Sequence, residues 1–284
     1  MTFQSGCEYV LAEHTVSQSE ASGLYPFKLM ARHYKRKSTD HVTYLRWIRL
    51  RIDNVNYKLM NKQLFIGSDV EQTPYYTDHM SIVLRPDNAM ILTTDFGLSV
   101  EFKGYTASVS LDKAYSGQVT GLCGDCDGDA SNDCEGNGDE AIAQCTSAWA
   151  TGECDPLVPY DGCLENPDNV DQATEYCGIL TDDSGPFKVC RDVVDMNELV
   201  SACGYDLCVT LPSKALLCDH LDNAARVCNE AGVNVGDWRD LAKVCANKCP
   251  AGTIYNSCGN PSPKHALAKQ PIVDLTVLTS VNVL

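Results

Sequence analysis

The sequence predicts a mainly β N-terminal antiparallel sandwich followed by a small disulfide-rich α-helical module, an α+β multidomain chain overall. Three observations carry this expectation. Apolar and polar residues alternate with a period of two, between turn signals, through the first 120 residues. From residue 163 the apolar spacing lengthens to that of a helix. The 16 cysteines among 284 residues are the signature of a chain stapled in an oxidising compartment. A length of 284 residues also exceeds what one compact core usually takes, so a large domain with smaller companions is expected.

The strand reading rests on particular runs. Within Val42–Ile52, Ile48, Leu50 and Ile52 alternate with Arg49 and Arg51, the pattern of a strand buried on one face. Short β-type runs follow at Ser81–Leu84, Met90–Thr94, Gly97–Phe102 and Thr106–Leu111. Pro86-Asp87-Asn88 and Lys103-Gly104 supply turns between them. Many short strands at such spacing suggest an antiparallel sandwich.

The helical reading follows from residue 163 onward. Ser213 is placed to cap a helix with Leu217, Leu221, Ala224 and Cys228 on one face, ending near Gly232. Asp237 is placed to cap another that brings Trp238, Leu241 and Cys245 together. Asp168 is placed to open a third carrying Ala173, Cys177 and Leu180. Half-cystines on the buried faces of short helices would compensate for a small core.

Charge and composition exclude several function classes. The net charge is −16, which argues against nucleic acid because phosphate binding needs a basic footprint. The charge is uneven: residues 28–62 hold ten Lys or Arg against Asp40 and Asp53, whereas residues 121–183 hold sixteen acids and no base. The basic stretch reads as a solvated strand face rather than a glycan or membrane patch. The most apolar stretch, Pro271–Leu284, is too short for a membrane span and carries Asp274. Met1-Thr-Phe-Gln-Ser-Gly-Cys7 lacks the basic start and apolar core of a signal peptide. The expectation is therefore a secreted, extracellular protein whose signal peptide is missing from this sequence. Zinc ribbons need paired CxxC motifs or paired histidines, and Cys123 and Cys126 form the one CxxC here. The six histidines form no HExxH, and no serine sits in a GxSxG elbow, so no hydrolase signature is present.

Chemistry concentrates in Cys123-Gly-Asp125-Cys-Asp127-Gly-Asp129-Ala-Ser-Asn132-Asp133-Cys134. Hard oxygen ligands at this density suit calcium, which accepts carboxylates and amides in flexible geometry. The plain alternative is an acidic, solvated turn. An EF-hand is excluded: with Asp125 as first ligand, the required glycine falls on Ala130 and the closing glutamate on Gly136. The CxxC invites a redox reading, but the surrounding aspartates would raise a thiol pKa, against what thiol exchange needs. Structural cysteines are the expected role.

These residues together resemble a known family. Gly6-Cys7-Glu8-Tyr9-Val10-Leu11-Ala12 looks like the early strand of von Willebrand factor type D domains. Gly97–Phe102 and Gly121-Leu122-Cys123-Gly124 resemble that family's later strands and its signature turn. Cys177-Gly-Ile-Leu180, Phe187 with Cys190, Cys203–Cys208 and Trp238-Arg239 are similar to the eight-cysteine domain that usually follows. Cys249-Pro-Ala-Gly-Thr-Ile-Tyr-Asn-Ser-Cys258 resembles the opening of a trypsin-inhibitor-like domain. The resemblance divides the chain into 1–155, a type D domain lacking its first strand; 156–246, the eight-cysteine helical domain; 247–263, an inhibitor-like stub; and 264–284, an unassigned tail.

The resemblance implies a structural Ca2+ site in the acidic turn, with Asp125, Asp127, Asn132 and Asp133 as ligands and Asp129 a weaker one. A further family ligand belongs to the first strand, upstream of this sequence. The resemblance also implies a disulfide between Cys7 and Cys154. Relatives usually place apolar residues where Cys126 and Cys134 stand, on either side of the ligand segment, and the two are expected to bridge. Such a bond would close a loop worth roughly 2.6 kcal/mol of chain entropy and restrict the acidic side chains before calcium arrives. Cys123 and Cys145 are the competing partners for Cys126. The implied function is a structural or adhesive, non-enzymatic module, joined to other extracellular proteins or copies of itself through disulfides and calcium-dependent contacts. The rivals are a secreted luciferase, which would need an oxidation site the sequence does not advertise, and protease inhibition by the stub.

Overall fold

The computed structural model describes residues 6–35, 43–86, 88–129, 132–133, 138–155, 162–165, 167–210 and 214–245. The inhibitor-like stub, the tail, Ser213 and Cys134 lie outside the described residues. The chain divides into two compact units, one within residues 1–158 and the other within 159–269.

The first unit is built from two antiparallel sheets. Strands β1 (Gly6–His14), β2 (Phe27–Tyr34), β3 (Tyr44–Ile52), β4 (Val55–Met60), β5 (Gln63–Ile66), β6 (Asp69–Glu71) and β12 (Ala150–Asp155) form the larger one, in the order β12-β1-β2-β3-β4-β5-β6. Strands β7 (Tyr75–Tyr76), β8 (Met80–Leu84), β9 (Met90–Thr94), β10 (Ser99–Lys103) and β11 (Thr106–Ser110) form the second, in the order β11-β10-β9-β8-β7. Leu11, Leu29, Ile48, Leu50 and Leu59 from one sheet share a single core with Ile82, Leu92, Val100 and Phe102 from the other. Two short helices interrupt the unit, α1 (Val16–Ser22) and α2 (Gly138–Trp149). The first opens on a capping box: Thr15 Oγ1 accepts from the Gln18 amide while Gln18 Oε1 accepts from the Thr15 amide.

Strand β3 keeps the expected alternation, with Ile48, Leu50 and Ile52 buried between Arg49 and Arg51. Leu45 joins the same face although it is three residues from Ile48. The register supplies the reason: Arg32 faces Trp47 but His33 faces Leu45, so Arg46 is the extra residue of a bulge that resets the phase. Strand β1 contains a second bulge at Leu11, between the Val10–Met30 and Ala12–Leu29 pairs, and it is buried along most of its length.

The second unit is helical, with α3 (Gly162–Glu165), α4 (Pro167–Cys177), α5 (Met196–Thr210), α6 (Lys214–Glu230) and α7 (Trp238–Ala242). In α6, Leu217, Leu221, Ala224 and Cys228 are buried as their spacing predicts. Ala173 and Cys177 of α4 are buried too, and Leu180 follows in a 3-10 turn. Two expectations for α7 fail. Asp237 occupies the N-cap position but makes no side-chain cap hydrogen bond. Leu241 does not join Trp238 and Cys245 but is 65% exposed. The helix has five residues and closes on Lys243 in the left-handed conformation, so it has one inward face and Trp238 occupies it. Phe187 packs 6.0 Å from the Trp238 ring, and the Arg239 guanidinium lies over it while pairing with Asp222.

Disulfides replace the missing apolar mass. Cys163–Cys208, Cys177–Cys203, Cys190–Cys228 and Cys218–Cys245 are bonded, which uses all eight cysteines of this unit's described helices and loops. Each closes a loop of 26 to 45 residues, and in the chain-entropy picture each such loop contributes roughly 3.5–4 kcal/mol.

Candidate functional site

The acidic turn grows out of β1. The Leu11 bulge leaves carbonyls on the strand that residues 120–123 take up: the Leu122 amide donates to Val10 O and the Cys123 amide to Leu11 O. Glu13 and Thr120 exchange two backbone bonds, 2.7 and 3.0 Å, just beyond. Gly121 is required at this seam because a Cβ there would stand 2.3 Å from the Leu11 carbonyl oxygen. Buried His14 fastens the approach, its Nδ1 lying 2.6 Å from Gln118 O and its Nε2 3.1 Å from Ser22 Oγ. The Gly117 amide then donates to Asp125 O and Ser116 Oγ to Cys126 O, which sets the base of the turn.

Within the turn the carboxylates cap the chain's own amides in sequence. Asp133 Oδ1 accepts from the Asp125 amide at 3.1 Å, Asp125 Oδ1 from Asp127 at 3.0 Å, and Asp127 Oδ1 from Asp129 at 2.6 Å. Asn132 Nδ2 donates to Asp127 Oδ2 at 3.0 Å. The Asp133 carboxyl lies where a Gly124 side chain would be: an added Cβ would come 1.9 Å from its Oδ1. Burial pushes the Asp133 carboxyl above its ordinary range, and the charges of Asp125, Asp127 and Asp129 push the same way. The expected ligand residues are therefore gathered on one turn. The Asp125, Asp127 and Asp133 carboxylates each accept from one of its amides, and among the described residues no three His, Cys, Asp or Glu side chains converge as a metal cage.

The cysteines around the turn divide into two kinds. Cys7 is bonded to Cys154 across 147 residues, tying β1 to β12 beside the Glu8–Thr151 and Tyr9–Ala150 pairs. Cys145 is also a half-cystine. Cys126, by contrast, is a thiol, so the expected bridge to Cys134 is not made, nor is a bond to Cys123. The backbone gives the reason: Cys126 adopts φ +62° and its side chain packs against the sandwich core with Cys123 instead of reaching across the ligand segment. Burial pushes the Cys123 thiol far up, with Cys126 and Asp133 adding to it. That direction opposes thiolate chemistry. Sequence reasoning missed the seam between β1 and residues 120–123, although the paired glycines at 121 and 124 were its signal.

Comparison with known proteins decides the family of each unit. Residues 1–137 match the von Willebrand factor type D domain, and residues 176–246 match the C8 domain. The chain carries a von Willebrand factor type D domain followed by a C8 domain. It is 28% identical to human alpha-tectorin (Homo sapiens) over 92% of its own length and 13% of that protein's. It is 37% identical to the human IgGFc-binding protein over 59% of the chain and 3% of that protein, and 26% identical to bovine von Willebrand factor (Bos taurus) over 92% and 28%. The chain thus spans about an eighth of the tectorin, a small part of a much longer relative. No helix among the described residues is long and apolar enough to cross a membrane.

Proposed function

We propose that this chain is a structural and adhesive module of a secreted, extracellular, multimerising protein, without enzymatic activity. The observation that carries the reading is the type D domain followed by a C8 domain, with all eight described cysteines of the helical unit bonded. That arrangement needs an oxidising compartment. It yields rigid units suited to display in tandem, and similarity to alpha-tectorin, zonadhesin and von Willebrand factor supports the same use. The resemblance of residues 249–258 to the opening of a trypsin-inhibitor-like domain would continue this module order. Burial moves the Cys123 thiol of the CxxC away from reactivity, which supports the non-enzymatic reading.

Calcium belongs to the same proposal. Asp125, Asp127, Asn132 and Asp133 would hold the ion, with Asp129 contributing, and the crowded Asp133 carboxyl supports this: burial raises its pKa first and the neighbouring charges add to it, and a divalent cation relieves that added repulsion. The present hydrogen bonds of the turn would open to redirect these oxygens, a modest rearrangement for side chains on one loop. The partners would be other extracellular proteins or further copies of the chain, engaged through disulfides and calcium-dependent contacts.

The test is the state of the full-length protein recovered from a secretory host. Sedimentation and non-reducing electrophoresis should find species larger than the monomer that fall to monomer on reduction. A protein that stays monomeric with and without calcium, and unchanged by reductant, would contradict the assembly reading.

A further inference from the structure

The β-sandwich unit has a cleft apart from the acidic turn. It measures about 440 Å³ and is lined by Tyr25, His79, Asp95, Phe96, Asp112 and Tyr115. Its walls are aromatic and its floor is tied down. Tyr25 stacks on Phe96, with ring centroids 5.0 Å apart and planes 3° from parallel, and Phe96 in turn packs 5.8 Å from Phe27. Tyr115 meets Phe27 edge-on and donates its hydroxyl to Tyr25 O at 2.9 Å.

The turn between β9 and β10 delivers the charge. The Asp95 amide donates to His79 O at 3.0 Å, and His79 Nδ1 lies 2.7 Å from Asp95 Oδ2. Gly97, at φ +88°, lets this turn press on Asp112: an added Cβ would stand 2.5 Å from the Asp112 Cβ. Asp112 Oδ1 accepts from the Ala114 amide at 2.9 Å. The second oxygens of Asp95 and Asp112 accept no hydrogen bond from the described residues. Beyond the rim, Asp53 Oδ2 accepts from the Tyr25 hydroxyl at 2.5 Å.

Charge and shape together select the occupant. Among the lining residues His79 is the one base, and it already faces Asp95, so carboxylates are in excess. The titratable groups report the same field. The hydrogen bond to Asp95 raises the His79 pKa. The hydrogen bond to Asp53 pushes the Tyr25 phenol up to about 12, and burial, with Asp112 and Asp95, does the same for Tyr115. An anion would be repelled. An apolar plug would leave the two carboxylate oxygens without donors in a covered site, and a sugar would donate without offsetting the charge. A cation on an alkyl stem satisfies both features, with the stem against the rings and the head on the carboxylates. The volume has ample room for a long side chain.

We propose that this cleft receives the lysine or arginine side chain of an extracellular protein partner, held between the Tyr25–Phe96 wall and the carboxylates of Asp95 and Asp112. None of the residues lining the cleft belongs to the acidic turn.

The test uses the whole chain and three capped pentapeptides, glycine on both sides of a central arginine, lysine or norleucine, followed by NMR. The arginine and lysine peptides should shift the Tyr25, Phe96 and Tyr115 resonances saturably, and the norleucine peptide should not. D95N/D112N should weaken arginine-peptide binding roughly tenfold or more, the loss of about one charge-assisted contact. Asn at 112 keeps the acceptor for the Ala114 amide, and an unchanged melting temperature verifies the fold. H79Q removes the internal competitor and should tighten binding, a gain that damage cannot produce. Equal binding of the norleucine peptide would overturn the proposal, as would undiminished binding to D95N/D112N, which would place the peptide elsewhere on the acidic surface. Butylguanidine binding as tightly as the arginine peptide would overturn the choice of a protein partner.

Discussion

His33 gives the β-sandwich unit a pH dependence that can be worked out in advance. The side chain sits in β2 opposite the Arg46 bulge, 1% exposed, with its ring edge-on to Tyr9 at 6.1 Å. Burial, with a smaller push from the Arg32 charge, lowers its pKa from the ordinary 6.5 to about 4. The folded protein therefore keeps the imidazole neutral down to about pH 4, while the unfolded chain takes up a proton below about 6.5. Protons then favour unfolding. The contribution of His33 is complete above pH 6.5, falls as the pH drops toward 4, and is flat below that. At about 1.4 kcal/mol per unit, the loss totals about 3 kcal/mol, with about 2 kcal/mol gone by pH 5. Against a typical stability of about 5–15 kcal/mol this is large. Urea unfolding in a W238F background lets the fluorescence of Trp47 and Trp149 report this unit alone. H33L should lose the extra slope between pH 6.5 and 5 relative to the parent. Parallel profiles for the two proteins would refute a buried neutral His33.

Two further expectations concern the frame of the acidic turn. Gly121→Ala forces a Cβ against the Leu11 carbonyl and should lower stability by about 3 kcal/mol or more, whereas Gly128→Ala, at φ +95° in open space, should lose only about 1–2 kcal/mol. Melting temperatures in the reverse order would contradict the seam between β1 and residues 120–123. Removing the Cys7–Cys154 bond with C7S/C154S frees a loop of 147 residues, which the chain-entropy estimate values at roughly 5 kcal/mol before strain is deducted. Non-reducing peptide mapping should recover Cys7 linked to Cys154, and a link from Cys7 to any other residue would overturn the pairing.

Much of the fold was legible where side-chain periodicity is decided locally. Strands β8 to β11 lie within a residue or two of their apolar runs, because turn residues bound them and one face must be buried. Helix α6 was legible through Leu217, Leu221, Ala224 and Cys228 for the same reason. Strand β1 shows no clean alternation because the bulge at Leu11 shifts its phase midway, so resemblance rather than period marked it. Leu241 misled because helical spacing predicts a shared face only while the helix lasts, and Lys243 ends this one. Of the site, the acidic residues were legible as a cluster in sequence. The direction of each carboxylate was not, since it depends on which amide of the turn each one caps. Cys126 failed for a related reason: its left-handed backbone turns the sulfur to the core, and spacing along the chain carries no sign of that.

The proposed calcium role of Asp125, Asp127, Asn132 and Asp133 is tested most directly by thermal melting of the full-length protein in chelator and in rising calcium. Extracellular calcium modules bind at roughly 10⁻⁴–10⁻³ M, so 10 mM calcium should stabilise the β-sandwich unit by about 1.4 kcal/mol or more. The melting temperature should climb and level off in the millimolar range, and Asp133→Asn should abolish most of the climb. Superimposable melting curves in chelator and in 10 mM calcium would contradict it.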